Sequence, residues 1–186
     1  MPRRRQHYEQ AFESYLRQHR VPFISVDEAR RSLLPESAAL KLECDGRGST
    51  LKSFDFVIYD EAVNYLVDVK GRKIPVQGSA SKPATRSRLQ TWVTEDDVRS
   101  LETWEGLFGE GFRPVFVFLY WCEAPPPDGL FVEVFEFHGR WYAPRAVGVR
   151  EYAARMRVRS PKWGTVHLST KDFDEVSRPL VSPSCG

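Results

Sequence analysis

"SFDFVIYDEAVNYLVDVKGRK", residues 53–73, holds two short apolar runs with a polar turn between them. Both runs read as strands, and their spacing across "YDEAVN" predicts a β-hairpin. Charges sit inside the runs: Asp55 in the first, Asp68 and Lys70 in the second. In an extended chain, residues two apart share a face. Val67 and Val69 therefore point one way, and Asp68 and Lys70 the other. Asp55 alternates against Phe54 and Phe56, which are expected to face the core. Pairing through the turn at 60–65 brings Asp55 and Asp68 together at the strand ends, with Lys70 beside them.

Two carboxylates held that close repel each other, and the usual remedy is a divalent cation. Oxygen ligands in small number suit Mg²⁺ or Mn²⁺ better than zinc. Asp55 and Asp68 would hold the metal, and the Val69 carbonyl at the same strand end would supply a further oxygen. Lys70 would orient an attacking water or stabilise a charged transition state. These are the needs of phosphodiester hydrolysis: an in-line water, a Lewis acid, and positive charge for the developing phosphorane.

The first helix offers a third acid. Tyr8, Ala11, Phe12, Tyr15 and Leu16 fall on one apolar stripe and predict a helix over 8–19. At about 100° per residue, Glu9 lies at the edge of that stripe and Glu13 farther round toward solvent, so Glu9 is the acid placed to reach the site. An acid-x-Lys tripeptide alone carries no weight. A solvent-facing strand with an Asp–Lys pair at i, i+2 spells the same letters. The weight comes from the Asp in the preceding strand, the Glu in the helix before both, and the helix and buried strand that follow.

"VPFISV" reads as a short strand, and "SVDEARRSLL" as a short helix capped by Ser25 or Asp27. "CDGRGST" is a turn-rich loop, and residues 74–91 form a loop rich in Ser, Pro, Ala, Arg and Lys. A second helix is signalled by "TEDDVRSLETWEGLFGEG", with Thr94 as N-cap, acids in the first turn, and Gly109 or Gly111 at the stop. "RPVFVFLYWC" is almost continuously apolar, as a central strand covered on both faces would be. After the break at "APPPDG", "LFVEVFEFHGRWYAP" predicts a hairpin and "VGVREYAARMRV" a final helix. The reading is one α/β domain over 1–186, with a central mixed β-sheet flanked by helices.

A net charge of +2 neither demands nor excludes nucleic acid. The basic residues are uneven, however, gathered in "PRRR" at the start and "RMRVRSPKW" near the end. Cys44, Cys122 and Cys185 are odd in number and far apart, which argues for a reducing compartment and against a disulfide scaffold or a zinc site. The basic start leads into "QHYEQAFE" and not into an apolar h-region, so no signal peptide is expected. "PVFVFLYWC" is too short to cross a membrane. A cytoplasmic protein is expected.

Glu9, then Asp55, then the "DVK" of Asp68 and Lys70 resembles the PD-(D/E)XK nucleases of the restriction-endonuclease-like fold. In layout the chain is nearest to the small archaeal Holliday-junction resolvases. The resemblance covers roughly residues 7–121 and implies an α-β-β-β-α-β core, followed by a C-terminal extension over about 122–186. It departs in two places: Phe54 precedes Asp55 where the family name has Pro, and Asp68 stands where Glu is common. What it implies is metal ligation by Asp55 and Asp68, catalysis by Lys70, support from Glu9, and DNA as substrate. It also allows a homodimer, since a junction presents two strands to cut.

Candidate nucleic-acid contacts are Arg72 and Lys73 after the motif, Arg86 and Arg88 in the loop, and Arg157, Arg159, Lys162 and Trp163 in the tail. The tail alternates Arg with apolar residues, giving either phosphate contacts with a base stacked on Trp163, or Arg stems covering apolar surface. Gln90 carries little weight beside them. The four histidines are scattered, with only His7 near Glu9. Two other readings fit the same residues: a catalytically inactive nucleic-acid-binding module of this fold, and a protein-interaction domain.

Overall fold

The computed structural model describes residues 6–26, 51–74 and 89–180. The short helix expected from "SVDEARRSLL", the loop at 44–50, and Arg86 and Arg88 fall outside the described residues. The run "RPVFVFLYWC" forms strand β5 (Phe112–Cys122), which lies in the middle of the main sheet. On one side β5 pairs in parallel with β3 (Asn64–Ile74), and on the other it pairs antiparallel with β7 (Arg140–Gly148). Beyond β3 lie β2 (Phe56–Ile58) and β1 (Phe23–Ser25), both antiparallel, and beyond β7 lies the short β6 (Phe135–Phe137). The order is β1-β2-β3-β5-β7-β6.

Helix α1 (Gln6–Gln18) precedes the three-stranded meander, and helix α2 (Glu95–Phe108) lies between β3 and its parallel neighbour β5. This is the α-β-β-β-α-β order expected for a restriction-endonuclease-like core, within an α/β fold built on a mixed sheet flanked by helices.

From Pro114 onward strand β5 is apolar because both of its faces are covered. Val115, Val117 and Leu119 meet α1, whose Ala11, Phe12, Tyr15 and Leu16 are fully buried. Phe116, Phe118 and Tyr120 face the other layer. That layer consists of α2, α3 (Val149–Arg155), α4 (Thr170–Val176) and a small sheet of β4 (Val93–Thr94), β9 (Thr165–His167) and β8 (Arg157–Ser160). Burying each of these large side chains contributes about 1.5–3 kcal/mol.

The tail differs from its reading. "VGVREYAARMRV" is not the final helix: α3 stops at Arg155, and the alternating "RVRS" that follows is the edge strand β8. The hairpin at 130–144 does form, turning through His138 and Gly139, both with positive φ (51° and 70°). That pair of left-handed residues is the geometry a tight hairpin turn needs.

Phe54 and Phe56 do not share one core. Phe54 packs on the α2 side and Phe56 under α1, because the chain bends at Asp55 before β2 begins.

Gly71, the residue after Lys70, is where α1 comes closest to the sheet. A Cβ there would lie 2.3 Å from the Tyr8 ring. Without a side chain at 71, Tyr8 settles onto β3 and carries its neighbour Glu9 toward the strand. Gly71→Ala should destabilise the protein by about 1–3 kcal/mol through overpacking. A lowered urea midpoint would register this, and an unchanged midpoint would mean that α1 shifts freely.

Candidate active site

The site begins with strand alternation. Asp68, Lys70 and Arg72 lie on the α2 face of β3, next to Phe116, Phe118 and Tyr120 of β5 in register. Val67 and Val69 lie on the α1 face. The Lys70 ammonium stands 2.8 Å from Asp68 Oδ2 and 3.1 Å from Asp97 Oδ2. It also lies 5.8 Å from the centre of the Phe116 ring. The Lys70 and Asp68 side chains are only 11% and 13% exposed, so water screens this pair weakly.

Asp55 joins from the neighbouring strand. It sits at the bend just before β2, where Phe56 pairs with Val67 and the Asp55 amide donates to the Val67 carbonyl at 2.8 Å. Its Oδ2 accepts the Val69 amide at 2.7 Å, which fixes the carboxyl at the strand end. Burial first, and then the Asp68 charge, push the Asp55 carboxyl up to about 8; Glu9 adds to this, while the Val69 amide and Lys70 oppose it. Glu9 thus bears on the site by its charge from the α1 side. Glu13 does not compete, since it pairs with Arg17 at 2.6 Å. His7 faces the Tyr142 hydroxyl at 3.1 Å.

A carboxyl whose proton is held more tightly in the folded state stabilises the fold below its ordinary value near 3.8. That contribution is lost as pH rises through the folded value. In chelator, the wild type should therefore lose stability between about pH 4 and pH 8 relative to Asp55→Asn. Urea midpoints across that range test this, and parallel curves for the two proteins would contradict it.

Asp97 is the residue that the sequence reading missed. It occupies the third position of α2, where its Oδ2 accepts the Thr94 amide at 3.0 Å and its own amide donates to Thr94 Oγ1 at 3.1 Å. The same carboxylate takes the Lys52 ammonium at 2.9 Å and that of Lys70 at 3.1 Å. Burial works against its charge, but Lys70, Lys52 and the Thr94 amide outweigh burial and hold the carboxyl well below the usual carboxylate range. The one sequence signal was the acidic first turn of "TEDD".

By donor chemistry, Asp55 and Asp68 fit a hard divalent cation: their donors are all oxygen, and the Asp68 charge adds to burial in raising the Asp55 carboxyl. Among the described residues, no three His, Cys, Asp or Glu side chains are gathered into a metal-holding group.

The candidate nucleic-acid contacts divide into two sets. Arg72 turns inward, donating to the Gly71 carbonyl at 2.9 Å and to the Trp92 carbonyl, with its charge 4.2 Å from the centre of the Trp92 ring. Lys73 pairs with Glu123 at 2.5 Å. Arg157, Arg159 and Lys162 are exposed, and Trp163 is 72% exposed at a turn closed by left-handed Gly164. The Gly164 carbonyl accepts the Glu95 amide at 2.8 Å, tying that basic and aromatic turn to the start of the helix that bears Asp97.

Together, the meander, the crossover to the parallel strand β5 and the helices on both faces define a mixed α/β fold with the element order expected for a restriction-endonuclease-like core. Among solved structures, the chain is similar to a Holliday junction resolvase, Hjc of Archaeoglobus fulgidus, with 11% identity and a TM-score of 0.49 over 94% of this chain and 90% of that one. So distant a likeness assigns neither activity nor substrate. No family model matches the chain, and no curated protein does. Among the described residues, no helix is long and apolar enough to cross a membrane.

Proposed function

We propose that this chain is a metal-dependent nuclease that hydrolyses DNA phosphodiester bonds. The observation that carries the reading is the Lys70 ammonium at 2.8 Å from Asp68, beside the Asp55 carboxyl that accepts the Val69 amide at 2.7 Å between them. In this reading Asp55, Asp68, the Val69 carbonyl and Glu9 hold Mg²⁺ or Mn²⁺, which supplies a Lewis acid and a more acidic water. Lys70 orients that water or stabilises the charge that develops on the phosphorane. Arg157, Arg159, Lys162 and Trp163 meet the substrate backbone and bases outside the cleavage point. The protein works in the cytoplasm, and branched, repair-type DNA is the first substrate to try because the sequence layout resembles that of the junction resolvases.

The test is cleavage of labelled duplex, single strand, flap and four-way junction with Mg²⁺, Mn²⁺ or EDTA. Cutting that needs the metal is the expected result, and a preference for one shape names the substrate. One observation favours a second reading, a binding module without turnover: Lys70 is already engaged by two carboxylates, Asp68 and Asp97. Binding of these DNAs with no cutting in either metal would select that reading.

A further inference from the structure

The face of β3 that carries Asp68 and Lys70 continues to Arg72, about 7 Å beyond Lys70 at the usual strand rise. Arg72 leads to Trp92, whose carbonyl it bonds and whose ring it underlies. On the outer side, Arg159 stands 5.1 Å from the centre of the same ring, at the register shift between Val158 and Ser160. Arg159 is exposed, and no carboxylate pairs with it among the described residues. Beside this indole lies a cavity of about 310 Å³ lined by Gln90, Trp92, Arg159, His167, Ser169 and Thr170 among others. That volume falls at the small end of ligand sites.

The cavity has a fixed frame. Tyr120 donates to the Gln90 carbonyl at 3.0 Å and Tyr152 to the Thr91 carbonyl at 2.7 Å, both from the buried core. Thr91 Oγ1 donates to the Leu168 carbonyl at 2.9 Å, joining the segment that leads into β4 to the residue that follows β9. His167 Nδ1 is buried and has no hydrogen-bond partner among the described residues. An indole beside a guanidinium that no carboxylate pairs among the described residues calls for a ligand that is planar and anionic.

We propose that this cavity is a subsite for one unpaired nucleotide next to the cleaved phosphate. The proposal rests on the nuclease reading and narrows its substrate to DNA with a single-stranded arm. Arg159 leaves the ring to grip the phosphate, since a guanidinium matches phosphate oxygens in pairs. The base then stacks on the Trp92 face that Arg159 has freed, an interaction that tolerates any base. Duplex DNA presents no separate base to such a slot, so a strand end, flap or branch enters it preferentially.

The experiment uses the full chain in EDTA, with ¹⁵N-labelled tryptophan and a six-nucleotide oligothymidylate, the Trp92 indole signal being assigned through Trp92→Phe. The Trp92 signal is expected to move on titration, and Arg159→Ala is expected to weaken oligonucleotide binding by about tenfold in fluorescence anisotropy. Inorganic phosphate and thymidine, titrated separately, show which half of the nucleotide gives the larger shift. A silent Trp92 signal at saturation, unchanged affinity in Arg159→Ala, or no binding of the oligonucleotide overturns the subsite. If the hexamer seats against Trp92 but no DNA is cut in Mg²⁺ or Mn²⁺, the nuclease reading fails and the cavity stands as a nucleotide-binding site. If DNA is cut while the Trp92 signal stays silent, the subsite fails and the nuclease reading stands.

Discussion

Lys70→Ala is expected to reduce metal-dependent cleavage by about 10²–10³-fold at saturating protein, the loss that follows removal of one preorganised charge at a developing oxyanion. Single-turnover measurement separates this from weaker binding, because Lys70 is only 11% exposed and makes its contacts with Asp68 and Asp97. Lys70→Arg keeps the charge but not the compact ammonium, and the planar guanidinium would have to fit beside the Phe116 ring, so it should recover little of the rate. A Lys70→Ala protein that cuts at the wild-type rate would reduce the lysine to a counter-ion for its two carboxylates.

Asp97→Ala should destabilise the fold by about 3 kcal/mol, chiefly from the loss of its charge-assisted bond to the weakly screened Lys70 ammonium, with a smaller share from the half-exposed Lys52. Thr94→Ala, which removes the N-cap hydroxyl and leaves the carboxylate, should cost about 1 kcal/mol. The difference between the two isolates the charge network from the helix cap. Equal urea midpoints for both variants would mean that Asp97 acts only as a cap. Asp97→Asn is the useful third protein: its amide oxygen still accepts the Thr94 amide while the charge facing Lys52 and Lys70 is gone, so its midpoint should lie near that of Asp97→Ala.

Much of the core could be read from local patterns. The alternation in "LVDVK" placed Asp68 and Lys70 on one face, the Thr94 cap located α2, and the unbroken apolar run identified β5. What stayed hidden depended on contacts between distant segments. Asp97 reads as an ordinary first-turn acid until α2 is laid across β3, and only then does it meet Lys70. The bend at Asp55, which sends Phe54 and Phe56 to opposite cores, leaves no trace in a pattern of alternating letters.

Pro144 lies inside β7, beyond the hairpin pairing. A proline normally ends a strand, yet β7 runs on to Gly148. The proline is tolerated because β6 pairs only with Arg140 to Tyr142, and the outer side of β7 is next bridged at Ala146, which exchanges backbone bonds with Arg178 at 2.9 Å, so position 144 falls between the two. Likewise, "RVRS" is too short for its period to prevail over the helix before it.

The pairing of β7 along β5, from Val115↔Gly148 to Cys122↔Trp141, has a consequence for anyone trimming the chain. All the residues proposed for the chemistry lie before position 122, so a fragment ending there would look like the minimal enzyme. Such a fragment would expose the most apolar strand of the molecule as a bare edge, an open invitation to pair with another copy. It would also strip Tyr152 and Phe173 from over Phe118. The smallest portable unit is therefore set by what shields β5 and not by where the acids and the lysine stand.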